Sequence, residues 1–223
     1  MTKKNKRLKK ELEDKTYSLE EAVDFLKNNY KPRFDETVEI HFRLGIDPSK
    51  TLQLVKGSIS LPHGPVKSRR IAIFSSDKNI QSAKKTGADI VGGKELIEEI
   101  KETGKADFDI ALADPDIMSD LAIIARILGP KGLMPSPKAG TVTSNFSEAV
   151  ESFRKGKINF RNDESGNVHL PVGKLSWDKE KIIENIKAAI EEVQNLKPSK
   201  VKKNYIKSIT ISSTMGPGIK ISL

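Results

Sequence analysis

Apolar residues along this chain keep two different rhythms, and the change between them divides it. Ser18-Leu-Glu-Glu21 has the form of a capping box, with Ser18 as N-cap and Glu21 as its reciprocal partner. Ala22, Val23 and Leu26 follow as one helical stripe. Val38, Ile40, Phe42 and Leu44 then alternate with Thr37, Glu39, His41 and Arg43, the period of a strand with one buried and one polar face. Gly45-Ile-Asp-Pro48 turns the chain, and Ile59 and Leu61 alternate again before Pro62.

The rhythm then changes. Ile71-Ala-Ile-Phe74 is a continuous apolar run followed by a helix-like Asp77 to Lys85. Asp89-Ile-Val91 precedes a helix-like Lys94 to Glu102, and Phe108 to Ala113 precedes another, Ile117 to Leu128. Ser147 to Phe153 reads as a last short helix. Strand–helix alternation of this kind predicts βαβ units around a parallel sheet.

After Gly156, period two returns at Ile158 and Phe160, then at Val168, Leu170 and Val172, with Asp163-Glu-Ser-Gly166 as a hairpin-type turn. Ser176 opens a long helix with Ile182, Ile186, Ala189, Ile190 and Val193 on one stripe, ended by Lys197-Pro198. Ile209 and Ile211 alternate with Ser208, Thr210 and Ser212, and Ile219, Ile221 and Leu223 form a terminal strand. The expected fold is therefore an α+β split domain, an antiparallel sheet with helices built from residues 1–67 and 158–223. Into it is inserted a three-layer α/β/α Rossmann-like domain, residues 68–157. Two chain crossings, near Gly64 to Arg69 and near Lys155 to Ile158, would form a hinge.

Charge sharpens this division. The chain has 39 Lys+Arg against 30 Asp+Glu, a formal +9, which suggests a polyanionic partner. Residues 1–67 hold 14 basic and 10 acidic side chains, residues 158–223 hold 11 and 7, and the middle holds 14 and 13. The surplus belongs to the two ends, part of it in a basic arm from Lys3 to Lys10. With no Cys, disulfides and thiol chemistry are excluded. No apolar run is long enough to span a membrane, and the Lys-rich start lacks the apolar core of a secretory signal.

Two loops carry the most specific signal. Ile127-Leu-Gly-Pro-Lys-Gly-Leu-Met-Pro-Ser-Pro-Lys-Ala-Gly-Thr-Val142 combines stiff prolines, permissive glycines and two lysines, with no Asp, Glu, His or Cys to do chemistry. Thr214-Met-Gly-Pro-Gly218 has the same character. With Phe34-Asp-Glu-Thr-Val-Glu-Ile40, Leu61-Pro-His-Gly64, Phe160-Arg-Asn-Asp163, Pro171-Val-Gly-Lys174 and Tyr205-Ile-Lys-Ser208 in order, nearly the whole chain resembles the bacterial-type L-one family of ribosomal proteins, the stalk protein of the large subunit. It departs at Ser136, where the family usually has Asn, and at Pro65 to Arg70, which lacks a usual second Gly.

The resemblance implies a structural constituent of the large ribosomal subunit that is not an enzyme and needs no cofactor. It implies binding to large-subunit rRNA at the mobile stalk near the tRNA exit site and help in releasing deacylated tRNA. It further implies repression through the protein's own operon mRNA, a free monomer with no membrane partner, and a cytoplasmic ribosome, with an organellar one as the alternative. Carried onto this sequence, the RNA contacts would be Arg33, Phe34, Thr37, Glu39, His41, Lys157, Arg161, His169, Lys174, Ser208, Thr210, Ser212 and the loop Thr214, Met215, Gly216, Pro217, Gly218.

The residues themselves give this reading a chemical basis. If the strands bearing Thr37–Arg43 and Ser208–Ser212 are neighbours, their polar faces form a hydroxyl-rich platform suited to phosphates and ribose 2′-hydroxyls. An ordinary solvent face has the same spacing, so the pattern alone does not decide. The rival is a nucleotide- or phosphate-binding enzyme using the middle domain. Against it, Gly87-Ala-Asp-Ile-Val-Gly-Gly-Lys94 has one residue too many for a P-loop, and no dinucleotide fingerprint occurs. His41 and His63 have no second His at ligand spacing. Asp107, Asp109, Asp114 and Asp116 read as strand-end and capping residues rather than a Mg²⁺ site. A DNA-reading helix would be rich in Arg and Asn, whereas the best amphipathic helix shows Lys and Glu outside.

Overall fold

A computed structural model describes Leu12 and residues 15–29, 34–64, 66–76, 79–201 and 204–222. The basic arm, Arg33 and Pro65 of the first crossing lie outside the described residues. The chain forms two compact units, one from residues 1–66 with 158–223 and the other from residues 67–157.

In the first unit, helix α1 spans Leu19–Asn29. Its capping box is formed in both directions: Glu21 N–H donates to Ser18 Oγ at 3.3 Å, and Ser18 N–H donates to Glu21 Oε2 at 3.0 Å. Strands β1 (Thr37–Leu44), β7 (Asn167–Lys174), β8 (Ile206–Ser213) and β9 (Ile219–Ile221) form an antiparallel sheet in the order β7-β1-β8-β9. Pro171, which has no N–H to give a ladder, stands on the edge strand β7. The other edge, β9, is flanked by Tyr17, which bridges to Ile221. Helix α7 (Lys179–Asn195) packs on β7, and α1 packs against α7. One core joins Ala22, Val23 and Leu26 of α1, Ile182, Ile186, Ala189 and Val193 of α7, and the inward residues of all four strands. Strand β2 (Lys56–Ser60) pairs with β6 (Lys157–Arg161) in a separate two-stranded sheet, whose Ile59, Ile158 and Phe160 join the same core.

The second unit is built on β3 (Ile71–Phe74), β4 (Ile90–Gly92) and β5 (Ile110–Ala113), parallel and in the order β4-β3-β5. Ala72 and Phe74 join one apolar cluster with Ile97 and Ile100 of α3 (Lys94–Thr103). Ile71 and Ile73 join another with Ala83 of α2 (Ile80–Lys85) and with Phe146, Val150 and Phe153 of α6 (Phe146–Arg154). The sheet is therefore buried on both faces, which is why its strands read as unbroken apolar runs.

Three expectations need correction. The Asp163 turn forms, with Gly166 N–H donating to Asp163 O at 3.2 Å, but its flanking strands belong to different sheets, so it is not a hairpin. Ile117 to Leu128 is not one helix. A 3₁₀ turn at Pro115–Ile117 leads into α4 (Met118–Leu121), a second 3₁₀ turn at Ala122–Ile124 and α5 (Ala125–Leu128). The interruption holds Ile123 and Ile124, β-branched residues that crowd the preceding turn. Helix α7 starts at Lys179 behind Asp178, because Ser176 is engaged elsewhere: its Oγ donates to Asp35 Oδ2 at 2.9 Å.

Candidate functional site

Strand pairing assembles the polar faces that the alternation predicted. Along β1, His41 lies opposite His169 of β7 and Thr210 of β8, and Thr210 lies opposite Lys220 of β9. This gives a row of four residues across the sheet. Arg43 sits between Asn167 and Ser208 in the next row, and Glu39 between Pro171 and Ser212. Thr37 lies opposite Lys174, whose ammonium donates to Thr37 Oγ1 at 2.9 Å and to Asp35 O at 3.3 Å. Helices α1 and α7 contribute their apolar stripes to the core on the other side of the sheet. Among the described residues, these rows stay partly or fully exposed.

The imidazoles define the centre. His41 Nδ1 and His169 Nδ1 are 2.7 Å apart, so one ring donates and the other accepts. His41 Nε2 lies 2.9 Å from Ser212 Oγ, and His169 Nε2 lies 3.4 Å from Asp163 Oδ2. Burial, then the neighbouring His169, lowers the His41 pKa below its ordinary value, with Glu39 opposing. Partial burial would raise the Asp163 pKa, but hydrogen bonds from Asn167, His169 and Ser165 outweigh it and hold the carboxyl below its usual range. At neutral pH the centre therefore combines a neutral His41 with an anionic anchor at its edge.

Thr214 to Gly218 closes one end of the platform. Thr214 N–H donates to Thr37 O at 3.1 Å, and Thr37 N–H donates to Thr214 Oγ1 at 3.1 Å. Met215 N–H donates to the buried Glu36 carboxylate at 3.2 Å. Pro217 is buried, whereas the Met215 side chain is 59% exposed. Phe34, two residues before Glu36, is 55% exposed, which places two of the exposed large apolar side chains by the entrance of β1.

Not every predicted residue joins this face. Lys157 and Arg161 lie on β6, which pairs with β2 and not with the four platform strands, and the Lys157 ammonium sits 5.3 Å from the Phe153 ring centroid. Lys220, Asn167 and Pro171 of the face were not among the predicted contacts, although Lys220 and Asn167 border apolar residues of their strands, a signal available in the sequence. The buried Glu36 behind the loop gives no such signal. In the second unit, Asp114 accepts from Ser76 Oγ at 3.2 Å and Asn79 Nδ2 at 2.6 Å, while Asp109 accepts from Arg70 N–H at 3.0 Å. These aspartates bind neighbours in different places, and no metal-ligating cluster occurs among the described residues. The glycine- and proline-rich loop is folded on itself: Ser136 N–H donates to Thr141 Oγ1 at 2.8 Å, and Leu133 N–H to Leu128 O at 2.9 Å.

Residues 26–217 match the model of the ribosomal protein L1p/L10e family. A protein of Thermosipho melanesiensis, named large ribosomal subunit protein uL1, is 50% identical over 208 residues, covering 93% of this chain and 90% of its own. The same name is carried by a protein of Mycoplasma capricolum subsp. capricolum, 47% identical over 225 residues and covering 99% of both chains.

Proposed function

This chain belongs to the ribosomal protein L1p/L10e family, and from that premise we propose that it is an RNA-binding constituent of the large ribosomal subunit, with the open face of the β7-β1-β8-β9 sheet as its rRNA site. It is a ribosomal protein and not an enzyme. The observation that carries the reading is the polar face itself: His169, His41, Thr210 and Lys220 in one row, with hydroxyls and Arg43 on either side, merging into the Thr214–Gly218 loop.

Each part has a role that RNA chemistry calls for. Arg43, Lys174 and Lys220 neutralise phosphates and supply the salt-sensitive share of affinity. Thr37, Ser208, Thr210 and Ser212 offer donors and acceptors together, matching the 2′-hydroxyls of a shallow RNA groove. Phe34 and Met215 place apolar surface against a ribose or an unstacked base. Gly216 and Gly218 let backbone approach the RNA closely. Lys157, Arg161 and Arg33 would act as peripheral phosphate contacts. Within the same reading the rRNA element is the mobile stalk, the second unit moves with deacylated tRNA leaving the exit site, and operon mRNA competes for the same face.

The test is a filter-binding titration against the rRNA stalk fragment, with unrelated duplex RNA as competitor. Wild-type binding should survive competition. Phe34→Ala and Met215→Ala should each weaken it about fivefold to a hundredfold, the range of a lost base-stacking contact, without lowering the thermal midpoint. Binding no better than to the competitor would leave only a basic protein.

A further inference from the structure

We propose that Glu36 is a positioning residue for RNA recognition, its buried carboxylate holding the Thr214–Gly218 loop in the shape that meets the RNA. The proposal rests on the RNA-binding reading above and deepens it.

Glu36 is 1% exposed and immediately precedes β1. Its Oε2 accepts the Met215 N–H at 3.2 Å, and its backbone carbonyl accepts the Leu175 N–H at 2.9 Å. One residue thus ties the β8–β9 loop to the entrance of β1 and the exit of β7. The reciprocal bonds between Thr37 and Thr214 close the same corner. A buried, acceptor-only carboxylate makes no useful direct contact with phosphate, so the side chain acts through the loop.

Stability alone gives no reason for a carboxylate here. Removing a carboxylate from water is costly, and an apolar group of similar volume fills such a space at lower cost. What the carboxylate supplies is direction. A charge-assisted bond to one backbone N–H is short-ranged and angular, and it fixes the peptide from which the exposed Met215 side chain projects. A loop already ordered in the free protein loses less entropy when RNA binds.

The experiment uses the full chain and three readouts: affinity for the stalk fragment, thermal midpoint, and hydrogen exchange of the Met215 amide. In Glu36→Gln the side-chain carbonyl still accepts but without the charge, so amide protection and affinity should lie between wild type and Glu36→Leu. In Glu36→Leu the volume is filled without an acceptor. Met215 should then exchange faster and RNA affinity should fall about tenfold, as for one lost charge-assisted bond, while the thermal midpoint holds or rises. A purely structural role predicts the opposite for Leu, affinity following stability. A folded Glu36→Leu protein that binds RNA as wild type does, or a Gln variant as impaired as Leu, would overturn the proposal. A wild-type protein that does not prefer the stalk fragment would sink the RNA reading and this proposal with it. Wild-type preference shared by the Leu variant would sink the proposal alone.

Discussion

Gly216 carries a hydrogen where any other residue would place a methyl, and Ser213 Oγ stands in that direction. Ser213 is 2% exposed, and its hydroxyl has no hydrogen-bond partner among the described residues. Gly216→Ala should therefore cost about 1–3 kcal/mol through overpacking and weaken RNA binding. Ser213→Ala alone should be near neutral, because its hydroxyl has no bond to lose. Together the two changes should recover most of the loss, a coupling that thermal unfolding of the four proteins would measure. The histidine pair makes a different prediction. Its neighbours on the face are Glu39, Arg43, Asp163 and Lys220, with Ser212 on His41 Nε2. A histidine whose folded pKa is depressed resists protonation, so its stability contribution is complete above the ordinary value of about 6.5 and is lost as pH falls below it. A bound phosphate reverses that preference. RNA affinity should rise as pH falls from about 7.5 to 6, by up to about tenfold per unit for one proton taken up. His41→Gln should flatten the profile; an equally steep one in that variant would exclude the pair as the source.

At the scale of elements, Asn185 shows how the sheet's covered side is held. It is fully buried on α7, donates to Val172 O at 2.7 Å and accepts from His63 N–H at 3.1 Å, linking the helix to β7 and to the segment after β2. Asn185→Ala should cost about 1–3 kcal/mol, since it unpairs the buried Val172 carbonyl and the half-buried His63 N–H; urea unfolding would read this, and a loss below about 0.5 kcal/mol would contradict it. The strands and their faces were legible because period two is imposed by backbone geometry, so Thr37, Glu39, His41 and Arg43 had to share a side. Partnership between strands is not local information. Nothing in Ile158 to Arg161 says that β6 pairs with β2, so the sequence does not tell which sheet carries Lys157 and Arg161. The alternation at Ile219 and Ile221 gives Lys220 a polar side, but a three-residue strand such as β9 is too short to announce its neighbour, so its place beside Thr210 is not local information. The burial of Glu36 depends on a loop almost 180 residues away in sequence, beyond the reach of any pattern.

The whole molecule separates its cores as it separates its charge. Among the described residues, the cluster that backs the platform is drawn from residues 12–66 and 158–221, while both clusters of the second unit fall within residues 71–153. The basic surplus follows the first unit, with 14 basic against 10 acidic residues in 1–67 and 11 against 7 in 158–223. A core that needs no side chain from residues 71–153 should survive their loss. Replacing residues 68–157 by a short flexible linker should thus give a protein that unfolds cooperatively and keeps the stalk-fragment affinity within about threefold, a change of under 1 kcal/mol. Because cations on the platform release counterions when they meet phosphates, affinity should fall about tenfold or more between roughly 50 and 200 mM salt. The linker protein should show the same slope, and Lys220→Ala should reduce it by about one unit in either protein. A folded linker protein with a much shallower slope would mean that the second unit supplies phosphate contacts of its own. An unchanged slope places the electrostatic contact on the joined ends, where the sheet and the charge coincide.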